Sequence, residues 1–357
     1  MKKTLVALAA MASIGSAFAD APTITPYARL DIGLKSVTDD SATKAKDTGG
    51  LVGADSVYNT SLWGLKGETD LGGGLKGFGQ VEQAFAANSA NGLVGDGNSR
   101  VGKIGITGGF GTVSLGAQWG PYDNITIGDA QNYNKFSPYG DVLNSGAHWD
   151  NGNGGANGQT VASIQYTSPS YGGLVYEINY APKKATAAGG TTNGTDVSSW
   201  GADVQYTAGP LAIAAAYDHT LSSDSNLVAG FGKAVNLTDY SNAWLINGSY
   251  NLGPASVFAA FNGATTNSVA GSDKDAGWSL GVSAPVGQWT LSASYGSLKT
   301  NGDDFVGDYK VESYGAQGLY AFNKQFTGYL GLKSKKVTYV GASNTINLYG
   351  AGLTFSF

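Results

Sequence analysis

Charged residues stand at alternate positions in short stretches of this chain: Arg29 and Asp31, Lys66 and Glu68, Lys333 and Lys335. Lys76, Glu82, Arg100, Glu177 and Asp203 fall on the polar face of comparable stretches. Residues two apart on an extended backbone share a face, so fixed charges of both signs line up along one side of a strand. Such a surface weights ions by sign and aligns dipoles. Breaking a bond needs more: a nucleophile and a base within hydrogen-bond reach, and a group that orients the base. The two histidines, His148 and His219, lack that company; Ser145 lies near His148, but no motif places an acid beside them. "GGGLKG" (72–77) fits a dinucleotide-binding pattern, yet it joins two strand-like stretches, so no helix N-terminus waits for a pyrophosphate. "NGDDFVGD" (301–308) lacks the ligand spacing of a calcium loop. No catalytic residue, metal ligand or cofactor is expected.

The elements that must position these charges are strands. In 288–295, Trp289, Leu291, Ala293 and Tyr295 alternate with Gln288, Thr290, Ser292 and Ser294, and 244–251 repeats the pattern. Segments of about ten such residues are separated by tight turns at 69–74, 108–111, 168–173, 209–210, 253–254, 285–287 and 323–324. Between those turns lie long polar stretches near 37–57, 88–98, 120–158, 183–197, 221–240, 265–274, 299–309 and 337–345. Seven short and eight long connections join sixteen strands. Short turns on one side and long loops on the other are the layout of an all-β, antiparallel transmembrane barrel, turns periplasmic and loops extracellular. Trp200 and Tyr206, Trp244 and Tyr250, and Trp289 and Tyr295 are each six residues apart on the apolar face. At ~3.3 Å per residue each pair spans roughly 20 Å, close to the height of the apolar band that aromatic girdles flank.

Residues 1–19 read as a secretory signal, with Lys2-Lys3, an apolar stretch and Ala17-Phe18-Ala19, leaving 20–357 as one barrel domain. Removing Lys2 and Lys3 from the 21 Lys+Arg leaves 19 against 26 Asp+Glu, a net −7. An acidic exported chain is no partner for nucleic acid. With no cysteine there is no disulfide framework, so the fold must close by hydrogen bonding. No stretch after residue 19 supplies the ~20 apolar residues of a membrane helix, but alternation hides lipid-facing surface from that test.

The chain resembles the general porins of the Gram-negative outer membrane, a family of trimeric, sixteen-stranded diffusion channels. The stretches that carry the likeness are "SLWGLKGETDLGGGLKGFGQVE" (61–82), "SRVGKIGITGGFGTVSLGAQWGPYDN" (99–124), "VASIQYTSPSYGGLVYEINY" (161–180) and "AGLTFSF" (351–357). The resemblance implies that the third long loop, 120–158, folds into the pore and faces a ladder of basic wall residues. Arg29, Lys66 and Arg100 match wall positions, with Asp123, Asp129 and Asp141 as the loop's carboxylates. "SPYGD" (137–141) resembles the loop-tip motif, with Tyr139 where a carboxylate usually stands. Leu62, Ala117 and Gln159 occupy places where the family commonly carries arginine. Phe355 and Phe357 are implied to be read by the barrel-assembly machinery, and the last strand to pair with the first. Lys103 falls out of phase with Arg100, at a subunit contact or a bulge.

The expected function is passive diffusion of ions and small hydrophilic solutes across the outer membrane by a homotrimer set among outer-membrane lipids. Lipopolysaccharide, bridged by divalent cations, is the expected partner of the outer loops. Net charge and the missing arginines point to a neutral or mildly cation-preferring pore. A substrate-specific channel for a sugar, amino acid or organic acid is the alternative, with Tyr122, Tyr133, Phe136 and Tyr139 as a stacking surface. A plugged barrel acting as an adhesin or structural protein is a third reading.

Overall fold

The computed structural model describes residues 22–40, 51–87, 98–125, 134–143, 159–182, 197–222, 227–229, 233–235, 239–268, 271–302, 308–339 and 342–357. The proposed signal, 1–19, lies outside them, as does Asp129. The wall is built of β1 (Thr23–Asp39), β2 (Leu62–Gly72), β3 (Leu75–Ala84), β4 (Asn98–Gly108), β5 (Gly111–Trp119), β6 (Gln159–Thr167), β7 (Leu174–Ala181) and β8 (Val197–Ala208). It continues through β9 (Leu211–Ser222), β10 (Asp239–Asn251), β11 (Ser256–Ser268), β12 (Gly271–Val286), β13 (Trp289–Gly302), β14 (Tyr309–Ala321), β15 (Phe326–Tyr339) and β16 (Ala342–Ser356). Each strand pairs antiparallel with the next. β1 closes the circle against β16, with Arg29 opposite Ser356 and Asp39 opposite Ile346. Closure leaves no strand edge to desolvate in lipid, the condition a sheet must meet to span a membrane.

Alternation makes the barrel inside-out. Ile104, Ile178, Ile246, Leu291 and Tyr314 are exposed, whereas Asn179, Asn262, Gln118 and Ser313 are buried. Each of the seven turn junctions has the short form expected. Two of the eight stretches expected as long loops are different: β11 and β12 run to Ser268 and from Gly271, and β15 and β16 run to Tyr339 and from Ala342. Polar residues at 265–274 and 337–345 therefore extend the strands past the apolar band, where water and ladder hydrogen bonds both suit them. Within 37–57, Val52–Asp55 forms a further strand on β1, and Leu227–Ala229 pairs with Lys233–Val235 in 221–240.

A bulge settles the phase of Lys103. Glu82 pairs with Val101 and Gln83 with Ser99, leaving Arg100 as the extra residue. Lys103 then lies opposite Gln80 and Gly116, on the face opposite to Ile104 and Ile106, which are exposed outward. Arg100 and Lys103 both serve the lumen.

Candidate pore constriction

After Trp119 the chain turns inward at α1 (Pro121–Asn124), and α2 (Tyr139–Val142) lies against the lumenal wall further round. Asn124 donates from Nδ2 to Glu177 Oε1 at 2.6 Å, and Thr167 donates to the other oxygen at 2.8 Å, fixing α1 to β6 and β7. Asn247 of β10 donates to the Ile125 carbonyl. Tyr122 Oη and Asn262 Nδ2 both donate to the Leu143 carbonyl, at 2.7 and 3.2 Å. Tyr122, Ile125, Tyr139, Val142 and Leu143 are buried against Ala214, Ala216, Ala243, Leu245, Ala260 and Ala264 of β9–β11. The apolar core of this barrel thus lies inside the lumen, between loop and wall.

Five successive strands offer the loop a glycine. A side-chain carbon built at Gly277 of β12 or Gly296 of β13 would collide with Val142, and one at Gly315, Gly331 or Gly350 of β14–β16 with Phe136. Only the missing Cβ lets the loop backbone lie this close to the sheet. Phe136 fills the resulting trough and packs with Tyr58 and Tyr329, ring centroids 6.2 and 6.3 Å away. Asp141 anchors the tip: Lys333 Nζ is 3.0 Å and Lys335 Nζ 3.2 Å from its carboxylate, and Ser313 donates to it at 2.8 Å.

A second inward segment, 56–61, is held by Asp31, which is wholly buried. Its carboxylate accepts the Tyr58 and Asn59 backbone N–H groups, Tyr329 Oη and Thr354 Oγ1 at 2.8–3.2 Å. Lys135 N–H donates to the Tyr58 carbonyl, joining the two inward segments. The Lys135 ammonium is pushed below the usual lysine range, first by burial and then by Lys35 and Lys333 of the same sign.

The described loop residues lie against strands from β7 round to β16, so the open passage faces β1–β5. There Arg100 Nε lies 2.7 Å from Glu82 Oε1, and its guanidinium sits 5.0 Å above the Trp119 ring. Glu82 also accepts Tyr27 Oη at 2.9 Å, and Lys66 Nζ lies 5.1 Å from the centre of that ring. Arg29 Nε donates to the Thr60 carbonyl at 2.9 Å. The passage therefore has a basic wall, set by β1–β4, opposite a loop pinned to the far side. It presents fixed charge to whatever passes.

The family model for Gram-negative porins matches residues 4–338. The chain belongs to the Gram-negative porin family. Outer membrane porin protein 32 of Delftia acidovorans is 30% identical over 292 residues, covering 80% of this chain and 77% of that one. An outer membrane porin of Bordetella pertussis is 27% identical over 382 residues, 99% and 90% of the two chains. Among solved structures, an anion-selective porin from Comamonas acidovorans superposes with a TM-score of 0.75 at 22% identity, over 94% of this chain and all of that one. OmpT of Vibrio cholerae in its trimer form gives 0.69 at 16% identity, over 95% and 100%. The porin lies in the outer membrane and passes ions and small hydrophilic solutes by diffusion.

The porin brings Arg29, Lys66 and Arg100 to one wall. It places the loop residues elsewhere than a free carboxylate row: Asp141 is shared by two wall lysines, and Asp123 of α1 is buried. Tyr139 is also buried, as are Tyr122 and Phe136, so these three form packing against the wall and no stacking surface; Tyr133 lies outside the described residues. Tyr58 and the glycine trough were not singled out, and Asp31 and Phe136 were read as a lumenal charge and a stacking ring where the structure makes them anchors of the inward segments. A signal for them exists: glycine and alanine on the lumenal faces of β9–β16, where a wet wall has no need of small residues.

Proposed function

We propose that the protein is a homotrimeric, non-specific diffusion channel that prefers anions. The observation that carries the sign is which charges meet the water. Arg29, Lys66, Arg100 and Lys103 line the passage, with Glu82 the carboxylate bonded to Arg100. Glu177, Asp203 and Asp218 are 5–8% exposed, as is Asp123 over them, and Asp31 is wholly buried. A net charge of −7 counted from composition weighs these buried acids equally with the wall lysines, which a permeant ion does not. The related Comamonas porin is described as anion-selective. Buried loop aromatics leave no stacking platform among the described residues, which favours the non-specific reading over a sugar or amino-acid channel.

Trimerisation is supported by the outward face. The exposed large apolar residues of strands β1–β5 are aliphatic, among them Ile24, Ile32, Leu34, Val81, Ile104 and Leu115, while exposed Tyr and Trp occupy β7 onward. A girdle faces lipid headgroups, and here it thins to Trp63 on β2 and Phe110 at the β4–β5 turn, which suits this face to a neighbouring subunit. OmpT has a trimer form. Outer-membrane lipids and lipopolysaccharide are the proposed surroundings of the remaining face. Phe355 and Phe357 are proposed as the mark for the assembly machinery; deletion of Phe357 should lower trimer yield in the outer membrane, and unchanged yield would dismiss that role. Planar-bilayer conductance with a panel of solutes tests the channel reading: ohmic, unblocked current supports it, and block by micromolar solute would favour a specific channel.

A further inference from the structure

Among the charges of the basic wall stands an uncharged residue, Tyr27, that contacts two of them. Tyr27 of β1, Gly64 of β2 and Glu82 of β3 lie opposite one another in a single row. A side-chain carbon built at Gly64 would fall on the Tyr27 ring. The ring therefore lies flat across the glycine, and its hydroxyl reaches over two strand spacings, roughly 10 Å, to Glu82. Lys66, two residues on from Gly64, holds its ammonium 5.1 Å from the centre of the same ring, inside the range of a cation–π attraction.

Donors and acceptors leave this network one arrangement. An ionised carboxylate only accepts, so Tyr27 Oη donates to Glu82 Oε2 at 2.9 Å. Gln80 Nε2, 2.8 Å from the same hydroxyl, then donates to it and keeps its proton aimed at Glu82. The other carboxylate oxygen takes Arg100 Nε at 2.7 Å. Glu82 is gripped by a donor on each oxygen and is 11% exposed, whereas Lys66 is open to water. A passing ion meets the lysine more fully than the acid. We propose that Tyr27 is a positioning residue that sets the charge preference of the pore: its hydroxyl holds the Glu82 charge against the wall, and its ring seats the Lys66 ammonium on the lumenal side. The inference rests on the reading of β1–β4 as the surface that permeant ions meet. Without the hydroxyl, Glu82 Oε2 takes its hydrogen bond from pore water and its charge turns toward the passage, while the number of charges stays the same. One unit charge seen at ~6 Å through water in about 0.1 M salt weights an ion roughly 2-fold.

The test compares zero-current potentials of the full-length porin and its variants across a potassium chloride gradient. Tyr27→Phe keeps the ring and every charge, and should lower the chloride-to-potassium permeability ratio roughly 2-fold. Glu82→Gln should raise that ratio. In the Glu82→Gln background, Tyr27→Phe should have no further effect, because the hydroxyl acts through that carboxylate. Gln80→Met removes the group that aims the hydroxyl; it should give a smaller shift of the same sign as Tyr27→Phe, and it carries the test if Tyr27→Phe does not assemble. Tyr250→Phe, on the outward face, should match the wild type. A wild-type ratio in both Tyr27→Phe and Gln80→Met, or a Tyr27→Phe shift that is equal with and without the Glu82 carboxylate, would overturn the proposal. The shifts are read against the wild type, so a wild type that prefers potassium would defeat the anion reading of the pore and leave the same differences to decide the role of Tyr27.

Discussion

Adding one methyl group to the glycine trough should move the constriction. At Gly331 an alanine Cβ would lie 2.5 Å from Phe136 Cγ and 2.8 Å from its Cε2, whereas ordinary contact begins at 3.4 Å. The ring is wedged between Tyr58 and Tyr329, so it cannot swing aside, and the loop tip must withdraw by about 0.9 Å. Overpacking of this kind costs typically 1–3 kcal/mol. At Gly315 the methyl would overlap the Phe136 carbonyl oxygen, a backbone atom with no rotamer to escape into, so the displacement is larger. Withdrawal stretches the Asp141 contacts with Lys333 and Lys335, now 3.0 and 3.2 Å, and pushes the tip toward the basic wall of β1–β4. Single-channel recording should give lower mean conductance with added flicker in Gly315→Ala, a smaller effect in Gly331→Ala and none in Gly109→Ala, where nothing lies within 4 Å. Barrel melting on gels should change little, since the sixteen-strand ladder is untouched. Identical currents in all three variants would refute the claim that this trough sets the loop's position.

Other perturbations read other parts of the same structure. Asp141→Asn frees two lysine ammonium groups in the lumen; removing one partner of a buried pair costs ~3–5 kcal/mol, and the 19% and 30% exposure of the lysines reduces that to roughly 1–2. The reversal potential should shift further toward anions, and no shift would show that these lysines do not meet the permeant ion. Asp31→Asn replaces a carboxylate that accepts four hydrogen bonds by an amide with one acceptor oxygen, costing on the order of 1–3 kcal/mol. Segment 56–61 should then become cleavable by protease in the intact trimer, and continued resistance would mean Asp31 does not hold it.

Much of the barrel was legible because alternation survives in every wall strand: Trp244, Ile246 and Tyr250 are outward in the sequence pattern and exposed in the structure. Two strand pairs were read too short, since Thr265 and Thr338 look like loop residues until the strands are allowed to project beyond the membrane. Lys103 needed the bulge at Arg100, which periodicity alone cannot distinguish from a change of face. The basic wall was visible as Arg29, Lys66 and Arg100, because each sits in a strand motif. The loop's role was visible in its length and in the resemblance of "SPYGD" (137–141) to a loop-tip motif. Whether Asp123 and Asp141 point at water or at the wall depends on how 120–143 lies on β7–β16, and that contact joins residues far apart in sequence, such as Asp141 and Lys333. The proposed charge preference departs from the one composition suggests for the same reason: composition counts Asp31 and Glu177 in full, while the fold buries them.

The most direct measurement is the zero-current potential of the wild-type trimer in a planar bilayer separating two concentrations of potassium chloride. The wall of Arg29, Lys66, Arg100 and Lys103 predicts an ohmic current whose reversal potential has the sign of chloride preference, weakening as ionic strength rises and the charges are screened. A potential of the opposite sign would contradict the basic-wall account, and a trimer that conducts nothing would contradict the channel itself.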